Sequence, residues 1–378
     1  MTPTLRARRV VIAPDSFKGT INAGAAAEAI ARGWASVCPA DTLIRVPMAD
    51  GGEGTVDAIA AAHPDAERIP ITVTGPDGSP VHTSWLRYRD GPGVVGVVEL
   101  ANTSGITLLD ELLPFDAHTL GFGEAIVAAL DAGIDRLVLA IGGSSSTDAG
   151  TGLLRALGAI LEDSAGQPIP LGNRGLSALA RADLTTLRAL PSGGVTVITD
   201  VTSPLLGATG AAHMFGKQKG ASSEERTRLD TAVANAASVL GGEPANAGAG
   251  AAGGAGYGLA LWGATLAPGA QAIGGELGLE RTFAGADIVL TGEGRFDEQS
   301  AAGKVPSYVR SLAAQSGAST GLIAGSIGTG VAAGEGPDGF HAIRSLSELA
   351  GGVPNAMAHP ERWLAEAGSQ LAKELSAR

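Results

Sequence analysis

Residues 10–20 read VVIAPDSFKGT. Three apolar β-formers run into Ala13 and Pro14, and an acid, two hydroxyls and a lysine follow within six positions. The first half has the composition of a strand buried on both faces, and Pro14 ends it. The second half places Asp15, Ser16, Lys18 and Thr20 where the chain leaves the core. Asn22 then offers an N-cap for an Ala-rich helix of about fourteen residues. This strand, polar loop and helix set the pattern for the rest of the chain.

The pattern recurs. LVLAIGGSSSTDAG precedes TGLLRALGAIL, VTVITDVTSPLLG follows, and IVLTGEGRFDEQ, AAGKVP and TGLIAGSIG come later. Strands that alternate with helices imply a parallel, doubly wound α/β sheet. Ligands bind such sheets at the carboxyl ends of the strands, and every polar cluster here follows a strand. Residues 70–100 differ. Their short alternating runs, broken at GPDG and RDGPG, predict antiparallel hairpins. The expected organisation is therefore two domains. The first takes residues 1–70 and 286–378, and the second, with a mixed sheet, takes 71–285. The strands near 137 and 195 have a possible place in either sheet. The segment LGGEPANAGAGAAGGAGYG, 240–258, reads either as a flexible loop or as the start of a helix.

The chain has 378 residues, more than one ordinary core accommodates. Its net charge is −12, and no basic tract or aromatic-basic interleaving occurs. This excludes the usual nucleic-acid binders. Cys38 is the only cysteine, so no intrachain disulfide forms. No apolar run reaches the ~18 residues of a membrane span, and the cytoplasm is the default location. The expected assembly is a monomer or homodimer.

Each motif has a bland reading and a chemical one. HMFGKQ and AAGKVP lack the first glycine and the Ser or Thr of a Walker A. GAGAAG, 248–253, fits G-x-G-x-x-G but has no clear preceding strand. IGGSSSTDAGTG, 141–152, is better placed: two glycines permit close backbone approach, and Ser144, Ser145, Ser146 and Thr147 offer hydroxyls ahead of a helix N-terminus suited to phosphate. Alternatively, Ser146 or Asp148 simply caps that helix. PMADGGEGT sets Asp50 and Glu53 around Gly51 and Gly52, as a site for Mg²⁺ or substrate hydroxyls or as a helix-capping turn. Asp200 follows the apolar run VTVIT. Glu293, Arg295, Asp297 and Glu298 follow DIVL. Lys18, Lys217, Lys219, Arg295 and Lys304 are cations in glycine-rich segments. Phosphoryl transfer needs cations and Mg²⁺ to neutralise the moving charge and an acid to orient the acceptor, and strand-end loops supply both. His82, His118 and His213 show no metal-ligand spacing and read as structural or surface residues.

Six stretches in this order, APDSFKGT, PMADGGEGT, IGGSSSTDAGTGLLRALGA, DVTSPLLG, FGKQKGAS and TGEGRFDEQSAAGKVP, resemble the type 1 glycerate kinase family from about residue 9 to about 370. The GAGAAGGAG segment is richer in Gly and Ala than that resemblance leads one to expect. The resemblance implies two α/β domains around a cleft, one Rossmann- or flavodoxin-like and one with a mixed sheet. It also implies ATP- and Mg²⁺-dependent phosphorylation of D-glycerate, with the 2-phosphate favoured. On that basis Asp200 is expected to orient or deprotonate the acceptor hydroxyl, a role Asp50 fills equally well. Glu293 and Asp297 are the expected Mg²⁺ ligands. Asp15, Ser16, Gly51, Gly52, Glu53, Ser144–Thr147, Lys217, Arg295 and Lys304 are expected to bind substrate or phosphate. Lys18 faces a carboxylate or a phosphate. The alternatives are another small hydroxy acid as acceptor, a non-catalytic acid-binding protein, and a hydrolase built on Ser145 or Ser146, which lacks a strand-end histidine.

Overall fold

The computed structural model describes residues 6–297, 304–328 and 339–377. These separate into two compact units. One comprises residues up to Asp50, Asp57–Ala62 and Gly269 onward; the other comprises Gly51–Val56 and His63–Pro268.

The first unit is built on five parallel strands, in the order Ala342–Ser345, Ser319–Ile327, Ile288–Phe296, Arg9–Ile12, Thr42–Arg45. Counted within this unit the order is 2-1-3-4-5 read from one edge, the flavodoxin-like arrangement. Arg9–Ile12 sits inside the sheet, with Val10 opposite both Ile288 and Leu43. Its apolar run is continuous because both faces are covered. Asn22 caps the helix Ala23–Ala35, accepting from the Ala25 N–H at 2.8 Å. That helix packs on Pro360–Leu375 at backbone distance. A Cβ on Gly33 would lie 1.9 Å from the Ala365 carbonyl oxygen, so only glycine fits there. Ile30, Trp34, Leu364 and Leu371 fill the layer between these helices and the sheet.

The second unit carries a six-stranded mixed sheet, in the order Thr265–Ala267, Val195–Ile198, Arg136–Ala140, Gly93–Glu99, Pro80–Asp90, Glu67–Thr74. The last three strands are the antiparallel hairpins expected from the sequence, and the others are parallel. The strands at 137 and 195 pair with each other in this sheet. The glycine-rich segment after 240 is neither a free loop nor a dinucleotide turn. A left-handed turn through Ala252, Gly253 and Gly254 leads directly into the helix Ala255–Trp262. Its backbone lies against residues 146–150: the Ala149 N–H donates to the Gly253 carbonyl at 3.1 Å, and a Cβ on Gly253 would fall 1.9 Å from the Ser146 oxygen.

Candidate active site

In the first unit the strand order reverses between Arg9–Ile12 and Ile288–Phe296, and loops leaving neighbouring strands diverge there. A cavity of about 320 Å³ opens at this point. Asp15, Ser16, Phe17 and Lys18 come to it from the first strand, and Glu293, Gly294 and Arg295 from its neighbour; Asp50 and Lys304 complete the charged lining.

The loop after the first strand is held tightly. The Asp15 N–H donates to the Gly292 carbonyl at 2.8 Å, and the chain folds back so that Phe17 and Ile21 bridge. Gly19 turns the corner at φ +78°. Phe17 is buried beneath, and Lys18 points outward. Asp50 is delivered by the segment after Thr42–Arg45, where Met48 N–H donates to the Pro14 carbonyl at 2.8 Å. The Lys18 ammonium meets Asp50 Oδ2 at 3.0 Å.

Asp15 is the electrostatic centre of this cavity. It is 6% exposed, and Ser16 N–H donates to its Oδ1 at 2.6 Å. Burial first, then the neighbouring Asp50 carboxylate and more weakly Glu293, push its pKa up to about 7 against the pull of the Ser16 N–H and Lys18. Burial lowers the Lys18 pKa, but Asp50, Asp15 and Glu293 together carry it above the ordinary lysine value. Glu293 is buried in the lining. Asp297 sits one step outside, with its Oδ2 3.2 Å from Arg295 Nε. Glu298 lies outside the described residues.

The remaining candidates belong to the second unit, where several come together. The Gly142 N–H donates to the Gly51 carbonyl at 2.9 Å, and a Cβ on Gly51 would strike Ile198 at 2.6 Å. The Gly51–Gly52 turn thus lies against the ends of Arg136–Ala140 and Val195–Ile198, two residues from the half-buried Asp200. Glu53 is exposed. Sequence reading missed Glu99, at the end of its strand and 2% exposed. Its carboxylate accepts from Gly54 N–H at 3.2 Å and Val56 N–H at 3.0 Å, so it fixes the glycine turn. The signal was an acid closing the apolar run VVGVVEL.

Ser144, Ser145, Ser146 and Thr147 are all buried. Ser145 Oγ donates to the Ser104 carbonyl, and among the described residues Ser146 Oγ and Thr147 Oγ1 have no hydrogen-bond partner. No described histidine bonds either candidate nucleophile, so the hydrolase reading has no histidine base among the described residues. The helix N-terminus that follows is not free. Asp148 accepts from Gly150 and Gly152 N–H, and from Thr119 N–H and Oγ1. The capping alternative therefore describes Asp148. Of the two lysines in FGKQKG, Lys217 is exposed and Lys219 is buried. The Lys219 ammonium donates to Ser144 Oγ at 2.8 Å and to the Ser146 carbonyl. Burial pulls its pKa down to about 7, opposed by Asp148.

Among the described residues no helix is long and apolar enough to cross a membrane. The sequence model described as the glycerate kinase family matches residues 10–376. Glycerate 2-kinase of Escherichia coli K12 is 40% identical over 316 residues, covering 81% of this chain and 82% of that protein. Glycerate kinase of Bacillus subtilis 168 is 41% identical over 328 residues, covering 84% and 85%. The crystal structure of a protein designated glycerate kinase 2 from Salmonella typhimurium LT2 superposes with a TM-score of 0.81 at 36% identity, covering 98% of this chain and 99% of that one. With a match of this extent and a flavodoxin-like sheet beside a separate mixed sheet, the chain belongs to the glycerate kinase family.

Proposed function

We propose that the protein transfers the γ-phosphoryl group of ATP to the 2-hydroxyl of D-glycerate. The observation that carries this reading is the cavity at the strand-order reversal, where Lys18, Arg295 and Lys304 share a lining with Asp15, Asp50 and Glu293. A lining of both charges suits an in-line phosphoryl transfer, which needs cations around the moving group and carboxylates for hydroxyls and Mg²⁺. The Escherichia coli relative named glycerate 2-kinase supports the choice of hydroxyl. Use of ATP favours the cytoplasm.

In this reaction the acceptor O–H bond breaks, its oxygen bonds to the γ-phosphorus, and the bond to the β-phosphate oxygen breaks to release ADP. Asp200 orients that hydroxyl and takes its proton, and Asp50 is the other carboxylate suited to the role. Lys18, Arg295 and Lys304 offset phosphate or carboxylate charge. Asp15 and Ser16 shape the loop and bind hydroxyls. Gly51, Gly52 and Glu53, together with the Ser144–Thr147 loop and Lys217, contribute further substrate contacts.

The donor set fits Mg²⁺: Glu293 offers a hard carboxylate in the cavity wall, with Asp297 close by in sequence. Among the described residues no group of three or more metal-ligating side chains is assembled. An ion that keeps its waters and phosphate oxygens does not require one. When bound, Mg²⁺ supplies positive charge to the phosphates.

The test is ³¹P NMR of a mixture of protein, D-glycerate, ATP and Mg²⁺. A new phosphomonoester doublet, from coupling to one proton, is expected for the 2-phosphate. A triplet would indicate the 3-phosphate, and no new ester would overturn the kinase reading. The same spectra with other small hydroxy acids define the acceptor range.

A further inference from the structure

The cavity of the first unit is lined by apolar side chains as well as charged ones. Besides Asp15 and Glu293 it is lined by Leu346, Val353, Ala356, Met357 and Pro360. Val353 and Met357 are four apart on the helix Val353–Ala358, hence neighbours on one face. They are 49% and 50% exposed. Seven large apolar side chains are exposed among the described residues, and these two alone line this cavity. An apolar pair left open beside cations marks a ligand surface more readily than a defect of the core.

Glycerate has no use for such a wall. It carries an oxygen on each of its three carbons, so every face of it is polar, and an apolar contact would only strip its water. A nucleotide has the complementary division: a flat base with apolar faces at one end and phosphates at the other. The polarizable thioether of methionine packs well against aromatic rings. The cations that phosphates need, Lys18, Arg295 and Lys304, line the same cavity.

We propose that Val353 and Met357 form the platform for the adenine base of the nucleotide, so that this cavity is the nucleotide subsite. The assignment rests on the phosphoryl-transfer reading for its choice of ligand. Glycerate is then held chiefly by other groups.

The test compares wild type with Met357→Glu and the double variant V353A/M357A. Both residues are half exposed, so the variants should fold, and thermal melts check this. KM is measured for ATP and for D-glycerate separately. Binding of a fluorescent N-methylanthraniloyl-ADP, labelled on the ribose, is measured without glycerate. Expected are a rise of tenfold or more in KM for ATP with Met357→Glu, a matching loss of ADP-analogue affinity, and a change below twofold in KM for glycerate. An unchanged KM for ATP in an active variant, or a rise confined to glycerate, overturns the assignment while leaving the kinase intact. If wild type binds the ADP analogue and Met357→Glu does not, the platform stands even where glycerate is not the acceptor. A wild-type protein that binds no ADP analogue overturns it.

Discussion

Two lysines in this protein have opposite surroundings and should respond to mutation in opposite ways. The Lys18 side chain is 72% exposed, and its ion pair with Asp50 reaches into solvent. Such pairs contribute little to stability, about 0–1 kcal/mol. Lys18→Ala should therefore leave the urea midpoint nearly unchanged. It should lower kcat/KM by roughly a hundredfold or more if the cation faces transferring charge. Steady-state kinetics beside urea unfolding checks both halves, and an unchanged kcat/KM would remove Lys18 from the mechanism. Lys219 is the reverse case. In the folded chain its pKa is about 7, against an ordinary 10.5. The unfolded chain then binds more protons between these values, so folding stability falls as pH drops from about 10.5 to 7 and the loss levels off below. Lys219→Met has no such slope. The stability difference between the two proteins, measured by urea unfolding from pH 6 to pH 10, should move in favour of the variant as pH falls through this window. A flat difference would mean that the ammonium is not desolvated as described.

At the scale of the element, the glycine-rich segment before Ala255–Trp262 shows what a sequence conceals. Its glycines look like flexibility or a dinucleotide fingerprint because one sequence cannot show which backbone will approach. The partner is the serine loop, about a hundred residues earlier. Ala149 and Ala252, at φ 54° and 52°, are the only non-glycine residues in the left-handed region among those described, and they belong to these two packed segments. Gly253→Ala would combine a φ of +68° with a clash against the Ser146 oxygen. The expected loss is at least about 2 kcal/mol, read by chemical unfolding, with a fall in activity if the serine loop serves the reaction. An unaffected midpoint would show that the contact yields easily.

The same contrast decides what else was legible. The capped helix after Asn22, the hairpins of residues 67–99 and the polar loops after strands follow from local patterns, which a sequence displays directly. The grouping of Asp15 with Asp50 and Glu293 does not, because it depends on which strands neighbour one another. Glu99 was obscure for a related reason. It holds a loop through the backbone N–H groups of Gly54 and Val56, and backbone atoms leave no trace in residue identity.

For the whole molecule the relevant quantity is sequence separation. The second unit is drawn almost entirely from one stretch, His63–Pro268, whereas the first joins Arg9–Ile12 to Ile288–Phe296. Distant pairings carry a loop-closure cost that local ones avoid. In refolding from denaturant, pulse-labelled hydrogen exchange should protect amides of 137–140 and 195–198 before those of 10–12 and 288–290. Simultaneous protection would indicate that the two sheets form as one cooperative unit.

The position of Arg9–Ile12 inside its sheet also bears on how the protein is made. The strand leaves the ribosome well before Ile288 and can pair with Thr42–Arg45 first, yet its other edge waits for Ile288. At elongation rates of about 5–20 residues per second, that wait is on the order of tens of seconds. Throughout it, a short β-edge carrying Val10, Val11 and Ile12 has no native neighbour, the condition that invites pairing between nascent chains. Overproduction should therefore favour inclusion bodies when translation outruns chaperone capacity, and slower synthesis at low temperature should recover soluble protein.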